Sequence, residues 1–301
     1  MSGKASIGTV GIIGIGAMGL PMALNLMRRG HAPCVRDIDP AAVAAARSSG
    51  LGWVGESAAE LARHCDTVVV VVVDAAQIDA VLFGDAGVVQ AARPAGSARQ
   101  TVVLCSTIAA ADTERLRDRL GEHGIDTVDA PISGGPVRAA AGELSMMVAA
   151  PRPVFERCEP LLREMASALH VVGERVGDGA RTKLVNNLLA GINLVAGAEA
   201  LALGARLGLD RRLLFDVIRS SSGASWMFED RMARALENDY APRARARILT
   251  KDVGLAVQMA EAAGVPTPLG AQALAAFRAT VDAGLGDADD AAVIRTAWPD
   301  F

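Results

Sequence analysis

The chain has 301 residues, 51% of them apolar and 3% aromatic, and a formal net charge of −4. That length supports two packed domains with a substantial core. The slightly acidic balance removes the electrostatic reason to expect a nucleic-acid partner, which usually meets a concentrated positive surface.

Lys4 ahead of the apolar stretch from Val10 to Leu26 imitates a signal peptide, but regularly spaced glycines in that stretch argue otherwise. Thr9 to Ile13 reads as a first strand, Ala17 to Arg29 as a helix, His31 to Arg36 as a second strand, and Pro40 to Ser49 as a helix closed by Gly50. Thr67 to Val73 is apolar on both faces, which suits a central parallel strand. Further strands are predicted at Thr101 to Cys105, Ile125 to Asp129, Leu144 to Ala149 and Leu169 to Val172, with helices at Thr113 to Glu122 and Val154 to Met165. Alternating strands and helices specify a parallel sheet covered on both faces.

After Gly173 the β-rich runs give way to helical patterns. A long helix is predicted from near Ala180 past Ala200, then helices at Arg211 to Ser220, Trp226 to Glu237, Arg245 to Ala263 and Pro268 to Ala283. The expected class is therefore α/β: a doubly wound parallel sheet in residues 1–173, followed by an all-α domain in residues 174–301. Leu184 to Ala198 carries no formal charge but includes Asn186, Asn187 and Asn193. It falls short of the ~20 apolar residues of a membrane span and reads as a helix buried between domains, so no membrane partner is expected.

Gly14-Ile15-Gly16-Ala17-Met18-Gly19 sits where the first strand turns into a helix, the context that makes this glycine pattern specific for a dinucleotide. Gly14 permits the tight turn, Gly16 leaves room for a pyrophosphate at the helix start, and Gly19 lets helix and strand pack closely. Asp37 ends the second strand near the ~20-residue distance expected of the acid that binds the adenosine ribose hydroxyls. Its charge would repel the extra phosphate of NADP. Arg36 precedes it, but neighbouring strand residues face opposite sides and need not share a pocket. Asp39 reads as a helix N-cap before Pro40.

Asp129-Ala130-Pro131-Ile132-Ser133-Gly134-Gly135 follows a strand at the carboxyl edge of the sheet, where open α/β folds bind ligands. Taken alone, this segment is either a tight turn or a loop that cradles a carboxylate. Of the 30 basic residues, the lysines are Lys4, Lys183 and Lys251. Arginine stays charged, whereas burial can tune lysine into an acid or base, so the two internal lysines invite a chemical reading. Lys183 and Asn187 share a helix face, with Gly191 one turn further and little steric bulk between.

These segments, in this order, resemble the β-hydroxyacid dehydrogenase family, which includes 3-hydroxyisobutyrate, tartronate-semialdehyde and threonate-type dehydrogenases. The cofactor motif is matched by Gly14 through Gly30, the substrate loop by Asp129 through Gly142, the catalytic helix by Gly177 through Asn187, and the carboxyl-terminal signature by Lys251-Asp252 with Gly264 to Leu269. The resemblance implies a Rossmann-type domain and an active site in the cleft between the domains. It makes Lys183 the catalytic acid/base, Ser133, Gly134 and Gly135 the carboxylate holders, and Asn187 the residue that orients the substrate. Lys251 would close the site near nicotinamide and substrate, and Val73, Asp74 and Thr107 would contact the cofactor. Asp37-Ile38-Asp39 replaces the Asn-Arg-Thr run usual in NADP-dependent members, so NAD is favoured over NADP.

Cys105 and Ala110 stand where acidic and proline residues are common in the family. Val73 to Gln77 and Ser225 to Glu229 look closer to the threonate branch, whereas Asn186 and Asn187 follow the hydroxyisobutyrate pattern. The resemblance also implies a homodimer or homotetramer. A neighbouring cation such as Arg181, or desolvation, would have to lower the pKa of Lys183 for it to act as a base at neutral pH.

Rival chemistries lack their residues. A short-chain dehydrogenase needs Tyr and Lys four apart, and Tyr240 is followed at that distance by Ala244. His31, His64, His123 and His170 form no zinc pattern, so no metal is expected. Cys34, Cys65, Cys105 and Cys158 are widely separated and read as free thiols of a reducing cytoplasm. The alternatives are an NADPH-dependent reductase of a small semialdehyde or imine, and a regulatory protein that binds NAD(H) without turnover.

Overall fold

The computed structural model describes residues 7–91, 98–298 and 301, and Lys4 lies outside them. By contact density the chain divides into two compact units, Met1–Lys183 and Leu184–Phe301.

The first unit alternates β1 (Val10–Ile13), α1 (Gly19–Arg28), β2 (Cys34–Arg36), α2 (Pro40–Ser48), β3 (Trp53–Val54), α3 (Ala58–His64), β4 (Thr67–Val70), α4 (Ala75–Phe83), β5 (Thr101–Leu104), α5 (Ala110–Glu122) and β6 (Asp126–Asp129). Then follow β7 (Ile132–Ser133), α6 (Gly135–Ala141), β8 (Leu144–Ala149), α7 (Arg152–Met165) and β9 (Ala166–Gly173). The sheet order is β3-β2-β1-β4-β5-β6-β8-β7, with β9 also paired to β8. The pairs from β3 through β6 are parallel. β8 runs antiparallel to β6 and β7, and β9 runs parallel to β8.

The strands are apolar without alternation because helices cover both faces of the sheet. Val10, Ile12, Val69, Val103 and Val128 share a core with Met22 and Leu26 of α1 and Leu161 of α7. Their neighbours Ile13, Val68, Val70, Val102 and Leu104 pack on the other face with Leu61 of α3, Ile78 and Leu82 of α4, and Leu116 of α5. Strand order reverses between β1 and β4, and the loops leaving these strands therefore open at the switch point where such folds bind ligands.

Local chemistry moved several boundaries. β2 starts at Cys34 rather than His31, because Pro33 cannot donate to the ladder. β4 stops at Val70, after which the Val72 N–H turns to Ser106 Oγ at 3.1 Å. Helices α3 and α4 fall where none was expected. Each opens on a side-chain cap: Ser57 accepts from the Glu60 N–H at 3.0 Å, and Asp74 from the Gln77 N–H at 2.9 Å.

The second unit contains most of α8 (Asp178–Arg206), then α9 (Arg211–Arg219), α10 (Ala233–Leu236), α11 (Ala246–Ala262), α12 (Pro268–Thr280) and α13 (Ile294–Ala297). A π-helical turn at Phe228–Met232 leads into α10, and another at Val281–Leu285 follows α12. Leu194, Ala198 and Leu201 of α8 pack with Phe228, Val253 and Phe277 in one core. With 29 residues, α8 is long and apolar enough by composition to cross a bilayer, contrary to the expectation that this segment is too short. Its buried positions instead serve the core of the second unit.

Candidate active site

In the first unit the glycine turn has the geometry expected of it. Gly14 has φ +91°, and a Cβ there would lie 2.3 Å from the Val71 carbonyl oxygen. A Cβ at Gly19 would lie 1.9 Å from the Gly14 carbonyl oxygen, so any side chain would force α1 away from β1. Gly16 faces open space, and α1 begins without a side-chain cap or an acidic residue in its first turn. The Leu20 N–H donates to the Gly16 carbonyl at 3.2 Å and Pro21 has no N–H, so the anion site that the helix dipole favours is the turn ahead of the helix. Ile15 is buried beneath this turn, Ala17 is exposed and Met18 half-buried.

Asp37 reaches the turn itself. Its Oδ2 accepts from the Ile15 N–H at 2.7 Å and its Oδ1 from the Asp39 N–H at 2.9 Å. A carboxylate offers about four lone-pair sites, so acceptor capacity remains for hydroxyl donors. Beside it lies a cavity of about 600 Å³ whose lining includes Arg36, Asp37, Pro40, Val43 and Arg47. Arg36 thus shares the cavity of Asp37, contrary to the face argument: the chain bends out of the strand after Arg36, and alternation no longer applies. Asp39 is the expected N-cap, accepting from the Ala41 N–H at 2.9 Å.

The loop after β4 is set by reciprocal capping, in which the Val73 N–H donates to Gln77 Oε1 at 2.9 Å while Asp74 caps α4. Val73 is exposed and Thr107 half-buried. Cys105 follows β5 as a buried thiol, and burial together with the Asp129 charge pushes its pKa up to about 12. Ser133 ends β7, and Gly134 leads into α6, which begins at Gly135; all three are half-buried.

Asp129, the expected strand end and first residue of the substrate loop, ends β6 and is 2% exposed. Its Oδ2 accepts from the Gly177 N–H at 2.8 Å and the Ala180 N–H at 3.0 Å, at the start of α8. Burial raises its pKa to about 6, against the opposing pull of these donors and of the Gly179 N–H. Spacing could not reveal this pairing, because the partners are 48 and 51 positions away.

Lys183 lies one turn beyond Ala180 on α8 and is 6% exposed. Full burial of a lysine is rare without a partner or a chemical task. Arg181 does not stand as an uncompensated cation beside it: its guanidinium lies 2.7 Å from Glu114 and 3.0 Å from Asp178.

In the second unit, Asn187 Nδ2 donates to Asp252 Oδ2 at 2.7 Å, and Lys251 Nζ lies 2.7 Å from Asp252 Oδ1. Asp252, 5% exposed, therefore joins the two residues the sequence had singled out, although no role was expected of it. Gly191 does not leave open space. A Cβ there would lie 2.6 Å from Val253 Cγ2, so the glycine admits α11 rather than a ligand.

The chain is similar to known dehydrogenases. Residues 9–173 match the NAD binding domain of 6-phosphogluconate dehydrogenase, and residues 177–297 match the NAD-binding domain of NADP-dependent 3-hydroxyisobutyrate dehydrogenase. The L-threonate dehydrogenase of Escherichia coli K12 is 40% identical over 286 residues, spanning 95% of this chain and 93% of that protein. The 3-hydroxyisobutyrate dehydrogenase of Pseudomonas aeruginosa is 37% identical over 88% of this chain and 89% of its own. A crystal structure described as 3-hydroxyisobutyrate dehydrogenase from Salmonella typhimurium superposes with a TM-score of 0.86 at 38% identity, covering 95% of this chain and 99% of that one. The chain belongs to the β-hydroxyacid dehydrogenase family and is an NAD-binding dehydrogenase of small hydroxy acids.

Proposed function

We propose that the protein oxidises a small polyhydroxy acid of the threonate class with NAD, and that Lys183 is its acid/base. The observation that carries this reading is the burial of Lys183 in a chain whose 30 basic residues include only three lysines. The similarity to L-threonate dehydrogenases over nearly the whole chain supports the substrate class.

The first unit fits the cofactor: an uncapped helix start, open space at Gly16, and a carboxylate with acceptor capacity beside a cavity. Gly14 through Gly19 would hold the pyrophosphate, Asp37 the adenosine ribose, and Val73, Asp74 and Thr107 the nicotinamide half. Bound there, NAD would supply the hydride acceptor for the substrate carbon. The hydroxyl proton passes to the neutral amine of Lys183, which leaves a carbonyl on the substrate and an ammonium on the enzyme. Backbone N–H groups of Gly134 and Gly135, with the Ser133 hydroxyl, would hold the substrate carboxylate. The Asn187 amide and Lys251 would orient the rest of the molecule.

In this reading residues 1–173 form the nucleotide-binding domain, and residues 174–301 the substrate and oligomerisation domain. A homodimer or homotetramer is supported by exposed Leu213 and Val217 on α9, a helix with no buried residue. A cytoplasmic setting is supported by the free thiols of all four cysteines.

The test is NADH formation at the nicotinamide absorbance band with threonate, 3-hydroxyisobutyrate, glycerate and serine. Threonate should give the highest kcat/KM. Turnover of 3-hydroxyisobutyrate alone would reassign the substrate, and no turnover of any of the four would favour a regulatory protein.

A further inference from the structure

An α-helix begins with N–H groups that have no partner inside the helix, and a neighbouring residue on the same chain segment usually caps them. At α8 the acceptor instead comes from the sheet. Asp129, at the carboxyl end of β6, places one oxygen against the Gly177 and Ala180 N–H groups. The approach is tight: a Cβ at Gly179 would lie 2.9 Å from Asp129 Oδ2 and 2.6 Å from the Met147 carbonyl oxygen. The first turn of α8 is thereby pinned to a strand end, and Lys183 follows on the next turn.

We propose that Asp129 is a positioning residue for Lys183, its ionised carboxylate fixing the helical turn from which the lysine projects. This inference rests on Lys183 as the acid/base. The surrounding charges leave Asp129 as the group that responds to pH. Cys105 just after β5 is held neutral by burial, Asp178 on α8 is paired with Arg175 and Arg181, and Glu114 on α5 is paired with Arg181. Protonation would put an O–H donor among N–H donors and weaken the charge-assisted bonds that hold the turn. With the Asp129 pKa raised to about 6, this happens just below neutrality.

The same shift separates positioning from simple structural support. A carboxyl group whose pKa rises on folding contributes stability that is fully present below its ordinary value of about 4 and is lost as pH rises through its folded value. Ionised Asp129 therefore lowers stability at neutral pH, while the proposal makes it raise activity.

Asp129→Asn and Lys183→Met are compared with the unmodified enzyme for kcat, the KM for NAD, pH profile and thermal unfolding. The unmodified enzyme should lose kcat as pH falls through about 6. Asp129→Asn should lower kcat by roughly 10–100-fold, the scale of a small misplacement of a catalytic group. It should also lose the limb near 6, retaining only the one set by protonation of Lys183, and keep both its unfolding midpoint at pH about 7 and its KM for NAD. Normal kcat and an unchanged limb near 6 in Asp129→Asn, beside an inactive Lys183→Met, would overturn the proposal. An active Lys183→Met would overturn the underlying assignment instead. If Asp129→Asn fails to fold, amide exchange at Gly177 and Ala180 in the unmodified enzyme decides. Protection that falls with kcat on acidification supports the proposal, and constant protection contradicts it.

Discussion

The Asn187 side chain donates a 2.7 Å hydrogen bond to Asp252, so a buried carboxylate fixes which way that amide faces. Nδ2 is committed to Asp252, and Oδ1, which already accepts from Asn186 Nδ2 at 3.1 Å, keeps one lone pair for a hydroxyl. Asp252→Leu removes the acceptor and leaves a buried donor, at a cost of about 1–3 kcal/mol. It should raise the hydroxy-acid KM by roughly tenfold while NADH affinity stays within a factor of about two. Steady-state kinetics beside NADH titration checks this, and an equal loss in both constants would contradict it.

Asp37→Asn should raise NADP use relative to NAD. The change removes the charge that repels a 2′-phosphate, keeps an oxygen for the Ile15 N–H, and exposes the phosphate to a cavity already lined by Arg36 and Arg47. A shift of roughly ten- to a hundredfold in the ratio of kcat/KM values corresponds to one charge-assisted interaction. A wild-type enzyme that already prefers NADP would contradict this assignment.

Ser133→Ala should raise the KM for the hydroxy acid by about 1–2 kcal/mol in binding, roughly 5–30-fold, without changing NADH affinity. A comparable loss of NADH affinity would place Ser133 in the nucleotide site.

Arg231→Met should destabilise the protein by about 3–5 kcal/mol, because it strands a buried carboxylate. Arg231 Nε lies 2.5 Å from Asp290 Oδ1, and Asp289 beside it takes Arg234 Nη1 at 3.0 Å. Replacing Asp290 with Leu in the same chain should recover much of the loss in denaturant unfolding. No recovery would mean that the arginine acts through packing alone.

What the sequence made legible was local. The Gly14 to Gly19 turn, the central Thr67 run and the cap at Asp39 are each specified by neighbours in the chain, and each formed within a few residues of its expected place. The caps of α3 and α4 were equally local, as Ser57 with Glu60 and Asp74 with Gln77, and could have been read from the same rules. Asp129 with Ala180, Asn187 with Asp252, and Gly191 against Val253 could not. Their partners lie 51, 65 and 62 positions apart, and only the folded chain brings them together. The placement of Arg36 failed for another reason: period-two alternation holds inside a strand, and Arg36 is its last residue.

The central claim is that Lys183 moves the proton. Lys183→Met deletes the amine while keeping the length of the side chain, and should lower kcat by at least the ~10²–10⁴-fold typical of general acid–base catalysis. Lys183→Arg keeps the charge but cannot release its proton, and should fail nearly as badly. NADH titration by fluorescence should show both variants binding cofactor as the unmodified enzyme does. The decisive measurement is the turnover of Lys183→Arg on the best hydroxy acid: loss of that magnitude is the expected result, and retention of most of the wild-type rate would contradict the account.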